Sequence, residues 1–486
     1  MYSDPRMAIR EYIQNAADSI DKAREQGFYR KDRPCIRLTL DGRERIITIE
    51  DNGLGINGRN AEAKLGSLGC STKSGNGQRG FRGIGRLGGL TYCDLLRFET
   101  RQTASEPVHV VEWNGQALCE QVSTHKSNRE LLTDAIQRIA FVSKRPGDLS
   151  LDPERFFRVR MINVHRFHAD LMMNVKGLRE YLSQTAPVSY KVDEFPFASQ
   201  IETYMGAIPG YCSYEITLNG SGVVRPYRMQ IDARERVSDQ IQDIEFIECI
   251  SRRGSLLCRG WFAKTNYLSA LPQHMAMRGI RIRQGNIAVG DEYFLKEYFS
   301  ESRFATWHIG ELHVTPLLKL NARRDGFEES EEYEEFLEWA SVLCRRLSSL
   351  ARQSSKERSA RLNMDRQVNE FSRQLSIPFF IDKEHARLFV DKADRQFERL
   401  CKLFKTSADV QPVLESCVAR LRKLRENPIL VRNILDGRVL NEKDNKELLI
   451  DLCRRIISNN HDPNKLRFIL EIVRPYIRNK ERYKVE

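Results

Sequence analysis

The sequence predicts an α+β protein in three regions: an α/β domain, a second α/β domain, and a helical, basic C-terminal third. Three observations carry that prediction. Residues 6–26 hold one long helical pattern, and the alternating stretches CIRLTL (35–40) and RIITIE (45–50) follow it around Asp41-Gly42. Strand-like text recurs as far as WHIGELHV (307–314), interrupted by helix-like and glycine-rich stretches. From about residue 330 the text turns helical and charged.

Length and composition bound the rest. A chain of 486 residues divides into about three domains, and an apolar fraction of 41% is that of an ordinary folded soluble protein. No run of about 18 uncharged apolar residues occurs, so no membrane span is expected. MYSDPRMAIREYIQ lacks the zones of a secretory signal. Eleven cysteines stand singly without a C-x-x-C pair, which argues against zinc ribbons and redox motifs and for reduced thiols of a cytoplasmic protein. Residues 341–486 carry 32 Lys and Arg against 20 Asp and Glu, which accounts for the net charge of +12. That surplus suits nucleic acid, another acidic partner, or simply a solvated helical surface.

In the first helix, Ile9, Ile13, Ala16 and Ile20 share one side, the expected core stripe. Glu11, Asn15, Asp18 and Lys22 stack along the other. Any surface helix shows such a division. Asn15, however, is a mediocre helix former in mid-helix, and two glycine-bearing loops follow.

The first loop, DNGLGI (51–56), comes directly off the strand RIITIE. It fixes the Asp51 carboxylate at a strand end, where it suits an exocyclic amino group such as that of adenine. Gly53 and Gly55 are expected to allow φ > 0 and leave room for a flat ring. A plain turn would look the same. In the second loop, GQRGFRGIGRLGGL (77–90), glycines precede a helix-like segment and so expose amides to an anion. Arg79, Arg82 and Arg86 add positive charge, as does Lys73 just ahead.

Helix, first loop and second loop, in this order and spacing, resemble the boxes of the GHKL ATPases: gyrase B, HtpG-type heat-shock protein 90 chaperones, histidine kinases, MutL and MORC proteins. The resemblance implies an ATP-binding α/β sandwich over residues 1–192. In it Glu11 is the general base, Asn15 holds Mg²⁺, and Asp51 reads adenine beside Gly53 and Gly55. Gly80, Phe81, Arg82, Gly83, Ile84 and Gly85 would cradle the phosphates, with Lys73 as a lid cation.

IRIRQGNIAVGDEYFLKEYF and HIGELHVTPLLKLNARRDGFEES are similar to the chaperones' middle domain, implying a ribosomal-protein-like transducer over 193–345. The match places Asn321 and Arg324 on its catalytic loop, Arg323 adjacent, with Arg324 reaching the γ-phosphate. An arginine pair bridged to Glu328 or Glu329 is the plainer reading. VDEFPFASQ (192–200) reads as a linker, and 346–486 as a helical, basic C-terminal domain with Phe389, Phe397, Leu400, Leu403 and Phe404 in its core.

The chain also departs from the family. The first box begins almost at Met1, so the exchanging strand and helix ahead of it are expected to be absent or clipped. A Gly-Thr usual on a late strand is not evident near FFRVRMINV. The expectation is therefore a slow, Mg-dependent ATPase and conformational machine, a homodimer acting on a protein client. The alternatives are a DNA-handling clamp using the basic third and a nucleotide-sensing module in regulation or anti-phage defence.

Overall fold

The structure is a computed structural model of the chain. It describes residues 4–29, 33–66, 85–117, 139–148, 150, 152–167, 169–234, 237–321, 324–376, 379–380, 383–404 and 410–430. The chain forms two compact units, Met1–Ser354 and Ser355–Glu486.

The first unit opens with helix α1 (Arg6–Glu25), whose start is marked by Pro5 at φ −62° and by the Asp4 carboxylate accepting the Arg6 amide at 2.9 Å. Strands β1 (Cys35–Asp41) and β2 (Ile46–Asp51) form the expected antiparallel hairpin. Asp41 closes its turn by accepting the amides of Arg43 and Glu44 at 2.9 and 3.1 Å. Helix α2 (Gly58–Leu65) follows, then β3 (Cys93–Arg101), β4 (Val108–Asn114), β5 (Ala140–Arg145) and β6 (Phe156–Val164). Helix α3 (Val175–Thr185) is capped by Asn174, which accepts the Gly177 amide at 2.9 Å. Strands β7 (Glu215–Leu218) and β8 (Ser221–Gly222) complete an eight-stranded sheet of order β5-β4-β3-β6-β2-β1-β7-β8. β7 lies parallel to β1, so chain well beyond residue 192 finishes this sheet.

One sheet face is apolar, with Ile36, Leu38, Ile47, Ile49, Phe98 and Met161 buried in the cluster that holds Ile9, Ile13, Ala16 and Ile20 of α1. Burial of that face against α1 and α3 is what sets α1 rigidly above the end of β2.

Helix α4 (Ala198–Met205) and a short pair, β9 (Gln230–Arg234) with β10 (Val237–Gln240), lead to the second sheet. That sheet has the order β11-β12-β15-β13-β14. Its strands are β11 (Asp243–Ile250), β12 (Leu256–Lys264), β13 (Gly279–Gln284), β14 (Ile287–Val289) and β15 (Ile309–Val314). On one side it shares a core with Phe336, Ala340, Cys344 and Leu347 of helix α5 (Glu331–Leu375). A second cluster contains Phe195, Ile201, Met205, Trp261 and Ile309. The stretch read as a linker therefore contributes a fully buried phenylalanine and the first turn of α4.

At the centre of β15, Glu311 is fully buried and fully engaged. It accepts from Arg225 Nη1 at 2.8 Å, Arg283 Nε at 2.7 Å, the Tyr190 and Tyr227 hydroxyls at 2.7 and 2.9 Å, and lies 3.0 Å from His313 Nε2. Arg283 also donates to the Gln184 carbonyl at 2.6 Å, and Arg281 to the Gln184 side chain, which ties the end of α3 to the second sheet.

The second unit contains helices α6 (Lys383–Leu403) and α7 (Gln411–Glu426) and the parallel pair β16 (Phe379–Phe380) and β17 (Ile429–Leu430). Leu400 is buried with Phe371, Leu414 and Cys417; Phe389, Phe397 and Phe404 pack partly against them, and Leu403 is exposed. Among the described residues no helix is long and apolar enough to cross a membrane.

Candidate active site

Helix α1 is covered on both sides. Its apolar stripe lies in the core, and Arg10, Glu11, Gln14 and Asp18 are buried as well. Between Ala8 and Ile20 only Asn15 and Ser19 keep partial solvent access, and they stand one turn apart. The polar side of this helix is thus a covered seam with one narrow opening, which an ordinary wetted helix surface is not.

The residue set against Glu11 comes from far along the chain. Arg324 Nε lies 3.6 Å from Glu11 Oε1, and both side chains are nearly out of solvent. Arg324 has φ +57°, a left-handed backbone uncommon for a side chain of its size. The turn is self-bonded: the Arg324 amide donates to the Asn321 carbonyl at 3.1 Å, and the Asn321 amide to the Gly326 carbonyl at 3.0 Å. The Asn321 side-chain amide donates to Asp325 Oδ1 at 2.8 Å. Asn321 thus shapes the turn that presents Arg324. Arg324 is paired with Glu11 of the N-terminal helix; Arg323, the other member of the expected pair, lies outside the described residues.

Two turns of α1 from Glu11 is the other end of the seam. Asp51 closes β2 with 2% of its surface exposed. Its Oδ1 accepts the Gly53 amide at 2.9 Å, and Ser19 Oγ stands beside it, the two oxygens flanking the place a Gly53 Cβ would take. Burial pushes the Asp51 carboxyl up to about 7, against the opposing pull of Gly53 and Ser19. Asn52 staples the same turn by accepting the Cys35 amide at 2.9 Å. Arg155 braces it from outside, donating to the Gly53 carbonyl at 2.6 Å while its guanidinium lies 4.5 Å over the Phe28 ring.

The two glycines of this turn differ in what requires them. Gly55 has the expected positive φ, +65°, and a Cβ there would fall 2.4 Å from the Arg101 carbonyl oxygen. Gly53 does not have positive φ: a Cβ would meet Ser19 Oγ at 2.3 Å and Asp51 Oδ1 at 2.6 Å, so its bareness makes space for the serine.

Of the second loop, Lys73, Gly80, Phe81, Arg82, Gly83 and Ile84 lie outside the described residues, and Gly85 opens a short 3-10 turn, Gly85–Leu87. Just past it the Gly89 amide donates to the Tyr12 hydroxyl at 2.9 Å, tying the end of the loop to α1 beside Glu11. Sequence reasoning missed Ser19, Tyr12 and Arg155. Ser19 had a usable signal, four residues after Asn15, but the polar stripe was followed through the buried Asp18 instead.

Comparison with known proteins bears on this arrangement. The model of the histidine kinase-, DNA gyrase B- and HSP90-like ATPase family matches residues 2–140. Residues 2–140 are thus similar to that family. The Chaperone protein HtpG of Burkholderia lata is 33% identical over 131 residues, 23% of this chain and 21% of its own length. That of Burkholderia ambifaria is 34% identical over the same span and shares. The chain thus spans about a fifth of the length of these curated relatives. The ATPase-family region contains α1, Asp51 and the glycine turn, while Arg324 lies outside it.

Proposed function

We propose that the chain is a slow, magnesium-dependent ATPase of the HtpG-like kind, whose cycle closes the first α/β region on the second and acts on a protein client. The observation that carries this reading is the pairing of Glu11 with Arg324 at 3.6 Å, an acid on α1 and a cation from the turn after β15 meeting one helical turn from the opening at Asn15.

The residues fit a nucleoside triphosphate with magnesium. Arg10 Nε, Gln14 Oε1 and Asn321 Oδ1 are buried without a hydrogen-bond partner among the described residues, as expected where a polar ligand or water completes the site. Glu11 and Ser19 are eight residues apart, about 12 Å along the helix, so base and terminal phosphate have separate anchor points. Among the described residues there is no group of three His, Cys, Asp or Glu that could hold a metal ion by itself. Asn15, with phosphates and water, matches the way magnesium is usually held. Bound magnesium would spread the charge of the triphosphate.

Asp51 accepts the amino group of the base. Glu11 accepts the proton of the attacking water. Arg324 stabilises charge developing on the terminal phosphate, and because it comes from the turn that follows the second sheet, hydrolysis and closure are coupled. In the arrangement described it neutralises Glu11, so the general base is held in an ion pair when no phosphate competes. Lys73 and the residues Gly80 to Gly85 complete the phosphate side, 193–345 acts as the transducer, and 346–486 as the dimerising domain.

A DNA-handling clamp is the second reading, favoured by the 32 basic against 20 acidic residues of 341–486. The test uses the whole chain. Turnover of ATP is expected to be slow and abolished by a chelator, and an unfolded polypeptide to accelerate it. Absence of turnover overturns the ATPase. Acceleration by DNA instead, with affinity falling steeply as salt rises, selects the clamp.

A further inference from the structure

We propose that Ser19 is a specificity-determining residue of this site, its hydroxyl orienting the Asp51 carboxylate to accept from a purine that carries an amino group at position 6. The inference rests on the ATPase reading above and adds to it a residue and a basis for choosing the base.

The geometry is specific to this position. The Leu54 amide donates to Ser19 Oγ at 3.0 Å and lies 3.2 Å from the Ser19 carbonyl oxygen, so both oxygens of one residue grip the turn. With its oxygen accepting from Leu54, the hydroxyl has its proton left to give, and the carboxylate beside it is that of Asp51, whose Oδ1 shares with Ser19 Oγ the space around Gly53. Asp51 Oδ1 is already engaged by the Gly53 amide. Two donors on a carboxylate with about four acceptor directions fix its plane and leave the other directions for a ligand. Ser19 is also one of two residues between Ala8 and Ile20 that the solvent reaches. The hydroxyl therefore lies at the mouth of the seam, beside the carboxylate it orients. The room for it is built in, since any side chain at Gly53 would occupy the place of Ser19 Oγ.

Above about pH 7, where the Asp51 carboxyl is ionised, it accepts and does not donate. It favours an amino group at position 6 of a purine, and it disfavours a carbonyl there, which would face it lone pair to lone pair. Ser19 contributes by orientation, so removing its hydroxyl weakens binding of the amino-bearing base and leaves the chemical step at the far end of α1 alone.

Equilibrium binding of ATP, GTP and purine riboside triphosphate, which has hydrogen at position 6, is measured for the wild type, Ser19→Ala and Ser19→Thr, with thermal melts alongside. Ser19→Ala is expected to weaken ATP by about tenfold, the scale of a hydrogen bond to a charged group. Purine riboside triphosphate should change by less than about twofold, kcat at saturating ATP should hold, and Ser19→Thr should restore ATP binding. Unchanged ATP affinity in Ser19→Ala, or equal loss of both nucleotides, overturns the proposal while leaving the ATPase standing. A wild type that binds none of the three overturns both.

Discussion

Two carboxylates at strand positions of the first unit, Asp51 and Glu311, are both buried, yet their surroundings are opposite. Glu311 has two arginines, two tyrosine hydroxyls and a histidine around it. Burial alone would raise its pKa, but Arg225, Arg283 and His313 hold it well below the ordinary carboxylate range. Among the described residues the Gly53 amide donates to Asp51 and the Ser19 hydroxyl stands beside it, with Glu50 raising and Arg155 lowering its proton affinity from farther off, and burial prevails. The first is a completed network that ties α3 to the second sheet. The second is a carboxyl whose burial is only partly offset, the kind of group that clusters at functional sites.

That contrast predicts opposite responses to neutralising the two groups. Glu311→Gln leaves Arg225 and Arg283 uncompensated in the core, and is expected to lower unfolding stability by about 3–5 kcal/mol in a denaturant titration. A loss under about 1 kcal/mol would show that the network is not what joins α3 to the second sheet. Arg324→Ala should lower kcat by about 100-fold and leave the KM for ATP within about threefold. Equal loss in both would make Arg324 a simple binding residue. Asp51→Asn should abolish measurable ATP binding yet raise unfolding stability at pH 8 by about 1–3 kcal/mol.

The smallest effect is the pH slope that separates the two centres. The Asp51 carboxyl sits near 7 when folded against an ordinary 3.8, so the folded state binds the extra proton between those values. Its contribution to stability therefore falls as pH rises through that window, and the advantage of Asp51→Asn should vanish on acidification. Glu311 and His313 act the other way. His313 is pushed by burial down to about 4 from 6.5, so its contribution is full above 6.5 and declines as pH falls toward 4. Glu311, held low by its arginines, loses its contribution below the ordinary carboxylate range. Stability profiles of wild type and Asp51→Asn from pH 4 to 8 would show the two slopes apart.

The same contrast marks what the sequence discloses. Periodicity identified α1, the hairpin and the strand end at Asp51, because each element buries one face and its pattern is written in its own residues. Contacts made by distant chain were hidden. Arg10, Glu11 and Gln14 look solvated until the turn at Arg324 is brought to that side of α1. Glu311 looks like the polar partner in an alternating strand, but all six residues of β15 are buried because the central strand is covered on both faces. Phe195 looks like part of a linker because two phenylalanines around Pro196, next to charged residues, are too short a run to show a helical or strand period. β5 shows no alternation to find, because its apolar residues Phe141 and Val142 are exposed along with the polar ones that follow. Ser19 was obscured by Asp18, since a charged residue attracts a functional assignment more readily than a hydroxyl one position on.

At the centre of this account stands α1 as the rail along which a nucleoside triphosphate lies, base at Asp51 and terminal phosphate at Glu11. Equilibrium binding and turnover of ATP by Glu11→Ala test it together. The account predicts wild-type affinity with hydrolysis lowered by about 100-fold or more. Normal turnover in that variant, or loss of binding and turnover in parallel, would contradict it.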